Sequence, residues 1–400
     1  TLIGVLEYSH LFHPTKQDDP DGAALDNLEM VRRGLREDGA LVIAIENKLG
    51  LRYLAGGHED HASRRWEGIE GYPSRRSAVT WSANELEALL LRAGFASVDF
   101  YLPFPDYKLA TTVLDAAAAT AELYPHNWVD APFPDRAGPG GGTRTGDALF
   151  DESLALREVV KSGLLRDLAN SFVVVAVNGD RQRARTRLGI EDGWVARHWS
   201  LERRQAFAKR ASLETDPATG ALVVANTAAV PNAPAAPHVA AIGLEQRLAA
   251  EPFRRGHQAL YPVLEDLAGG RLPQTLPAHV ARLAAFLESR FAAPGGGCDA
   301  AGVPFLRGDA LDVTLWNIVV DEADGTWHAI DGEWRFAGLL PADYVVWRGL
   351  LHAAGRRPAL AAATGARTPA EFALAAVLQQ WPLLGPERLY LYEELEGWLQ

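Results

Sequence analysis

The sequence predicts an α/β protein of two domains, an open doubly wound sheet first and an α+β domain second. Three observations carry this expectation. "LIGVLEY" and "ALVIAIEN" are apolar on both faces and flank a helical stretch, the pattern of a parallel crossover. The chain has 400 residues, 48% of them apolar, which is longer than one compact core usually grows. Beyond about residue 180 the long apolar strands give way to short strands and helices, with an acidic hairpin, "NIVVDEADGTWHAI", among them. The expected domains are residues 1–180 and 195–400.

In order along the chain, residues 2–7 read as a strand buried on both faces. "ALDNLEMVRRGLREDG" follows as a helix, with Leu25, Leu28, Val31 and Leu35 near helical spacing and Gly39 as a stop. "ALVIAIEN" is the second strand. In "WSANELEALLLRAGF", Ser82 and Glu85 form a capping box, Trp81 can staple onto Leu86, and Gly94 ends the helix. "SVDFYLPFP" is a strand, and the Gly/Pro-rich interval at about 130–147 is a loop or insertion. "DESLALREVVKSGLLRDLA" is helical and "SFVVVAV" is a strand. The second domain begins with short strands around a "DPATG" turn, and "PNAPAAPH" is a linker. Helices are expected near 243–250, 257–268 and 277–292, then the hairpin, then mostly helix.

A net charge of −12 without a sustained basic run argues against nucleic acid or an anionic membrane as the main partner. Small molecules or proteins are the expected partners. Cys298 is the single cysteine, so no intrachain disulfide framework exists, and no CxxC pair suggests zinc. No apolar run is long enough to span a bilayer. A reducing cytoplasm fits, with attachment at the inner membrane through partners as an option. The chain opens directly on a strand, with no initiator methionine and no leader, from which a missing N-terminal part is expected.

In an open sheet, ligands dock beyond the carboxyl ends of the strands. Those ends carry Glu7, Tyr8, Ser9 and His10, then Glu46, Asn47 and Lys48, then "GGHEDH" and "GIEGYP". Glu7 and His10 either face a ligand cleft or serve the loop backbone. His58, Glu59, Asp60 and His61 supply metal-type ligands, but a substrate-facing loop or a solvated loop accounts for them as well. Asp106, Tyr107 and Lys108 can form a structural ion pair near a strand end.

The segments "LIGVLEYS", "GALVIAIENKLGLRYLAGGHEDH", "GIEGYP", "ELEALLLRAGF" and "YLPFPDYKL" resemble the second half of a class I S-adenosylmethionine-dependent methyltransferase of the kind found beside bacterial surface-polysaccharide genes. The resemblance covers residues 1–115 and the strand near 172. It implies a Rossmann-like sheet of which strands four to seven are present, without the glycine-rich turn and the ribose-binding acid, so that S-adenosylmethionine binding by this chain alone is expected to be weak or absent. It also implies Glu7, Tyr8 and Asn47 toward the cofactor, and His58, Glu59 and Asp60 toward the substrate. Methyl transfer to a hydroxyl needs a base, for which His10 and His61 are the candidates; transfer to a phosphate needs none.

Phosphoryl transfer requires metal ions on oxygen ligands and a carboxylate near the attacking hydroxyl. In kinase-type sites an Asn follows that Asp by five residues, a short hairpin comes next, and a second Asp ends it. Asp312, Asn317 and Asp331 have this order. The region resembles the kinase-like domain that follows the methyltransferase in bifunctional O-antigen-modifying proteins, and more distantly the aminoglycoside and choline kinases. That resemblance implies Asp312 as the catalytic carboxylate and Asn317 and Asp331 as metal ligands, with Glu333 assisting, ATP and Mg2+ as cofactors, and a polysaccharide or lipid-linked sugar as substrate. One feature departs from it. Ala225 and Asn226 stand where the phosphate-binding lysine is sought, Lys209 on the preceding strand is the only lysine beyond residue 195, and no glycine-rich phosphate loop is visible. An active kinase, a degenerate kinase-like domain and a different fold all stay open. The competing class of function is a non-catalytic scaffold for glycosyltransferases, with the final helix leading into an assembly segment.

Overall fold

A computed structural model describes residues 1–61, 64–74, 77–129, 149–233 and 243–399. The Gly/Pro-rich interval at 130–147 and residues 234–238 of the linker lie outside them. The fold is mixed α/β with a large, mostly antiparallel sheet. The chain divides into two compact units, Thr1–Ser200 with Arg210–Val223, and Leu201–Lys209 with Val224–Gln400. No described helix is long and apolar enough to cross a membrane.

The first unit contains strands β1 (Leu2–Ile3), β2 (Ala40–Glu46), β3 (Ser97–Phe104), β4 (Thr112–Asp115), β5 (Ser171–Val177) and β6 (Trp194–Ser200), and most of β7 (Lys209–Thr215). Their order across the sheet is β1-β2-β5-β3-β4-β6-β7. β1 runs parallel to β2, with Leu2 opposite Ile43 and Ile3 opposite Ala44. β5 lies antiparallel between β2 and β3, so those two strands share one direction. The central strands "ALVIAIE" and "SFVVVAV" are buried along most of their length, which explains why their sequences run apolar without alternating.

The helix Pro20–Gly34 connects β1 to β2. Asp19 caps it by accepting the Gly22 N–H, Pro20 opens it, and Ala23, Ala24 and Leu28 are buried. In the helix Ala83–Arg92 the capping box of Ser82 and Glu85 forms as expected. The opening strand is shorter than the sequence suggests. The chain leaves the sheet at Gly4, whose φ of +60° suits glycine, and winds into a 3-10 turn at Leu6–Tyr8 followed by the short helix Ser9–Phe12. The strand expected at residues 2–7 is therefore confined to two residues, and Glu7 is rolled inward to 0% exposure.

The second unit holds the rest of β8 (Leu222–Ala228), then β9 (Leu244–Gln246), β10 (Glu251–Pro252), β11 (His257–Gln258), β12 (Phe305–Arg307), β13 (Ile318–Val320), β14 (Trp327–Ala329), β15 (Trp334–Phe336) and β16 (Leu339–Pro341). The expected helix at 243–250 is not formed. Leu244–Gln246 instead pairs antiparallel with Trp334–Phe336, a long-range partner that overrides local helix propensity. The helix expected from 277 begins at Leu272, and Pro277 lies inside it. The expected hairpin is present as β13 and β14, with β11 on its outer side. Helices Leu272–Phe291, Ala342–Arg356 and Pro369–Gln380 bury Leu283, Leu287, Trp347 and Phe372 between them.

The C-terminal helix Arg388–Leu399 docks onto Ala342–Arg356 through buried polar contacts. Glu396 accepts hydrogen bonds from Tyr344 Oη at 3.0 Å and Arg348 Nε at 3.1 Å, and His352 Nε2 lies 3.2 Å away. Burial by itself would raise the Glu396 pKa, but His352 and Arg348 outweigh it and lower the value from 4.5 to about 2. A group depressed in the folded state stabilises fully above its unfolded pKa and loses that contribution as pH falls through the folded one. Stability should therefore decline between pH 4.5 and about 2 by about 3 kcal/mol at most from this group. Urea titrations at several pH values should show a shallower acid slope for Glu396→Gln than for the parent.

Candidate functional site

Polar side chains gather at two places, one in each unit. In the first unit, Glu46 ends β2 and Glu7 sits in the turn after β1, so the parallel pairing of these strands brings both carboxylates to one rim. His61 reaches the same point from the following loop, its Nε2 lying 3.8 Å from Glu7 and 3.5 Å from Glu46. Tyr8 Oη lies 2.8 Å from His61 Nδ1. Lys108 Nζ donates to Glu46 at 2.5 Å and to Asp60 at 2.9 Å, and Tyr107 Oη donates to Glu46 at 3.2 Å. "PDYK" therefore serves the rim cluster directly.

Burial pushes the Glu7 carboxyl up. Burial acts in the same sense on Glu46, but His61 and Lys108 overcome it and hold that carboxyl well below the usual range. The Glu46 carboxylate beside it raises His61. Glu59 is pushed up to about 7, chiefly by burial; its Oε1 accepts the Gly68 N–H at 2.9 Å and ties the "GIEGYP" loop to "HEDH". A cavity of about 300 Å³ opens beside the cluster, lined by Gly4, Val5, Tyr8, Ser9, Phe12 and His13 among others.

Of the residues singled out from sequence in this region, Glu7, Tyr8, Asp60 and His61 converge. His10 is buried on the short helix Ser9–Phe12, where burial lowers its pKa, and it does not join the converging ligand atoms. Asn47 spends its amide on the backbone, donating to the carbonyls of Asp167 and Ala169 and accepting the Leu49 N–H, so it holds the loop rather than facing a ligand. His58 is partly buried and bridges to Arg65 through its backbone.

In the second unit the hairpin register places Asn317 opposite Ile330, whose N–H donates to the Asn317 carbonyl at 2.9 Å. Asp331 follows at the same open end. Asn317 Nδ2 donates to the Asp312 backbone carbonyl at 2.9 Å and lies 3.4 Å from its Oδ2. Asp331 is held at φ +57°, a left-handed conformation that Asp tolerates better than most side chains. Glu251 fixes it there by accepting the N–H groups of Asp331 and Gly332 at 2.9 and 3.1 Å. Lys209, 2% exposed, donates to Asp331 and also pairs with Glu333 at 3.0 Å. Glu333 is itself buried and receives Arg203 at 2.5 Å and Gln246 at 2.8 Å. A cleft of about 780 Å³ is lined by Asp309, Asp312, Asp331, Arg254, Arg290 and Arg307 among others.

Of the three residues singled out from the hairpin region, Asp312 and Asn317 are hydrogen-bonded to each other, and Asp331 follows Ile330, which pairs with Asn317. From the sequence the lysine is sought at residues 225–226, whereas the lysine that meets Asp331 is Lys209. The signal was present, because Lys209 is the only lysine beyond residue 195 and opens a strand. Glu251 and Arg348 left no such signal, since their partners are remote in sequence. Arg348 Nη1 donates to Asp312 Oδ1 at 2.9 Å.

Fold and sites together define a mixed α/β chain with a carboxylate–imidazole rim in one unit and, in the other, an arginine- and carboxylate-lined cleft whose Asp331 pairs with the buried Lys209. Comparison with protein-family models, with curated proteins and with solved structures found no match for it.

Proposed function

We propose that the second unit binds a magnesium nucleotide and transfers its terminal phosphoryl group to a hydroxyl of a sugar, and that the first unit is a methyltransferase-type domain serving the same class of acceptor. The observation that carries the phosphotransfer reading is the pairing of Lys209 with Asp331 and Glu333 beside the Asp312–Asn317 loop. A buried ammonium next to the carboxylate that ends the hairpin is what triphosphate binding with metal bridging requires. On this reading Asp331 and Asn317 supply oxygen ligands for Mg2+, and Asp312 accepts the proton of the attacking hydroxyl. The arginines lining the cleft add positive charge for phosphate.

The methyltransferase reading is supported by the strand arrangement, in which one antiparallel strand is inserted between two strands of common direction, and by the cavity beside Gly4 and Tyr8. The sugar acceptor rests on the sequence resemblance. A second reading, a nucleotide-binding scaffold without turnover, is favoured by the ion pair of Arg348 with Asp312, which occupies one oxygen of the proposed base.

Calorimetry with Mg-ATP, followed by turnover assays with glycan acceptors, separates the two. Catalysis predicts that Asp312→Asn keeps nucleotide affinity within about threefold while turnover drops roughly 100-fold or more, the usual worth of a general base. Nucleotide binding without turnover by the parent chain selects the scaffold, and no nucleotide binding overturns both.

A further inference from the structure

The rim of the first unit carries an arrangement that the phosphotransfer and scaffold readings do not use. Glu7, Glu46 and His61 come from three separate segments, yet one ligand atom of each lies within 4.8 Å of the others. Both oxygens of Glu7, Oε2 of Glu46 and Nε2 of His61 are buried and have no hydrogen-bond partner in the protein. Glu7 is 0% and Glu46 2% exposed, so two carboxylates face each other where water screens them little.

The surrounding contacts leave these four atoms aimed inward. Lys108 and Tyr107 occupy Oε1 of Glu46, and Tyr8 Oη engages Nδ1 of His61. With Nδ1–H donating to Tyr8, Nε2 presents its lone pair, the orientation that an outer hydrogen bond imposes on a metal-ligating imidazole. Gly4 makes the approach possible: a Cβ there would sit 3.0 Å from Tyr107 Oη and 3.5 Å from Glu7 Oε1, at a φ of +60°.

We propose that Glu7, Glu46 and His61 bind a divalent first-row cation, Mn2+ or Zn2+. One imidazole nitrogen with carboxylate oxygens suits these ions better than the all-oxygen shell of Mg2+ or Ca2+. Two carboxylates and a neutral imidazole balance the charge of the ion. Three protein donors leave coordination positions open for a hydroxyl or carboxylate of a bound molecule. This assignment revises the methyl-transfer reading at one point, since it makes His61 a metal ligand in place of a base. The competing state of the same cluster is an imidazolium bridging the two carboxylates.

The test is titration of the full chain with Mn2+ and with Zn2+ by calorimetry, with Mn2+ paramagnetic resonance alongside. The chain carries Asp331→Asn so that the acidic cleft of the second unit does not contribute. One ion per chain is expected, weakened at least tenfold by Glu7→Gln or His61→Ala and roughly tenfold by Tyr8→Phe. Glu7→Gln also removes a buried like charge. It should melt at or above its parent without metal and show no rise when metal is added, whereas the parent's melting temperature rises. The site is overturned if the folded parent binds neither ion, or if Glu7→Gln and His61→Ala leave affinity unchanged. A parent that binds no ion while Glu7→Gln lowers the melting temperature assigns the cluster to the imidazolium bridge. Should His61→Ala fail to fold, Tyr8→Phe and Glu7→Gln still decide the question.

Discussion

Lys209→Met is expected to lower the affinity of the chain for Mg-ATP by roughly 10- to 100-fold, the worth of one charge-assisted hydrogen bond of about 1.5–3 kcal/mol. The reasoning starts from burial. Lys209 is 2% exposed and its ammonium meets two carboxylates, Asp331 and Glu333. A lysine placed there for stability alone would be a poor choice, because desolvating an ammonium costs much of what the ion pair returns. On the proposed phosphotransfer reading, its position beside Asp331 would let it hold phosphate oxygens of a bound nucleotide. Lys209→Arg keeps the charge but not the compact geometry, so it should recover folding more fully than nucleotide affinity. Calorimetry on both variants checks this, with circular dichroism as the folding control. Unchanged Mg-ATP affinity in a folded Lys209→Met chain would remove the lysine from the site.

The second large effect concerns stability. Asp343→Ala should destabilise the second unit by about 3–5 kcal/mol, as expected when one partner of a buried charge network is deleted. Asp343 is 0% exposed; its Oδ2 receives Arg388 Nε at 2.6 Å and Tyr392 Oη at 2.6 Å, and its Oδ1 accepts the Tyr344 N–H at 2.8 Å. Arg388 also pairs with Asp299 at 2.5 Å. Asp343→Ala leaves Arg388 with Asp299 as its remaining acidic partner and the Tyr392 hydroxyl without its acceptor, in a cluster where the rings of Tyr344, Trp347 and Tyr392 lie 5.1–6.3 Å apart. Tyr392→Phe removes one hydrogen bond and keeps the packing, so about 1 kcal/mol is expected. Urea denaturation read by tryptophan fluorescence measures both. A loss below about 1 kcal/mol for Asp343→Ala would mean that the C-terminal helix is held by apolar contact alone. The docking also bears on the scaffold reading, since a helix tied to the core through Asp343 and Glu396 is not a free assembly segment over its described length.

By itself the sequence determined the elements whose cause is local. "ALVIAIE" and "SFVVVAV" are strands because unbroken apolar, β-branched runs suit positions covered on both faces. Ser82 and Glu85 start their helix through bonds spanning three residues. The β13–β14 hairpin, and with it the order of Asp312, Asn317 and Asp331, follows from two short apolar strands around a turn. Only the tertiary structure decided which side chains meet. Lys209 and Asp331 are 122 positions apart, and Asp331 and Glu251 are 80 apart. Leu244–Gln246 became a strand because Trp334–Phe336 was available to pair with it. The Glu7–Glu46–His61 group exists because Gly4 turns the chain out of the sheet and rolls Glu7 toward β2. Periodicity and capping report energies that act within a few residues. The partner of a buried charge is chosen by packing across the whole unit, and no local pattern encodes that choice.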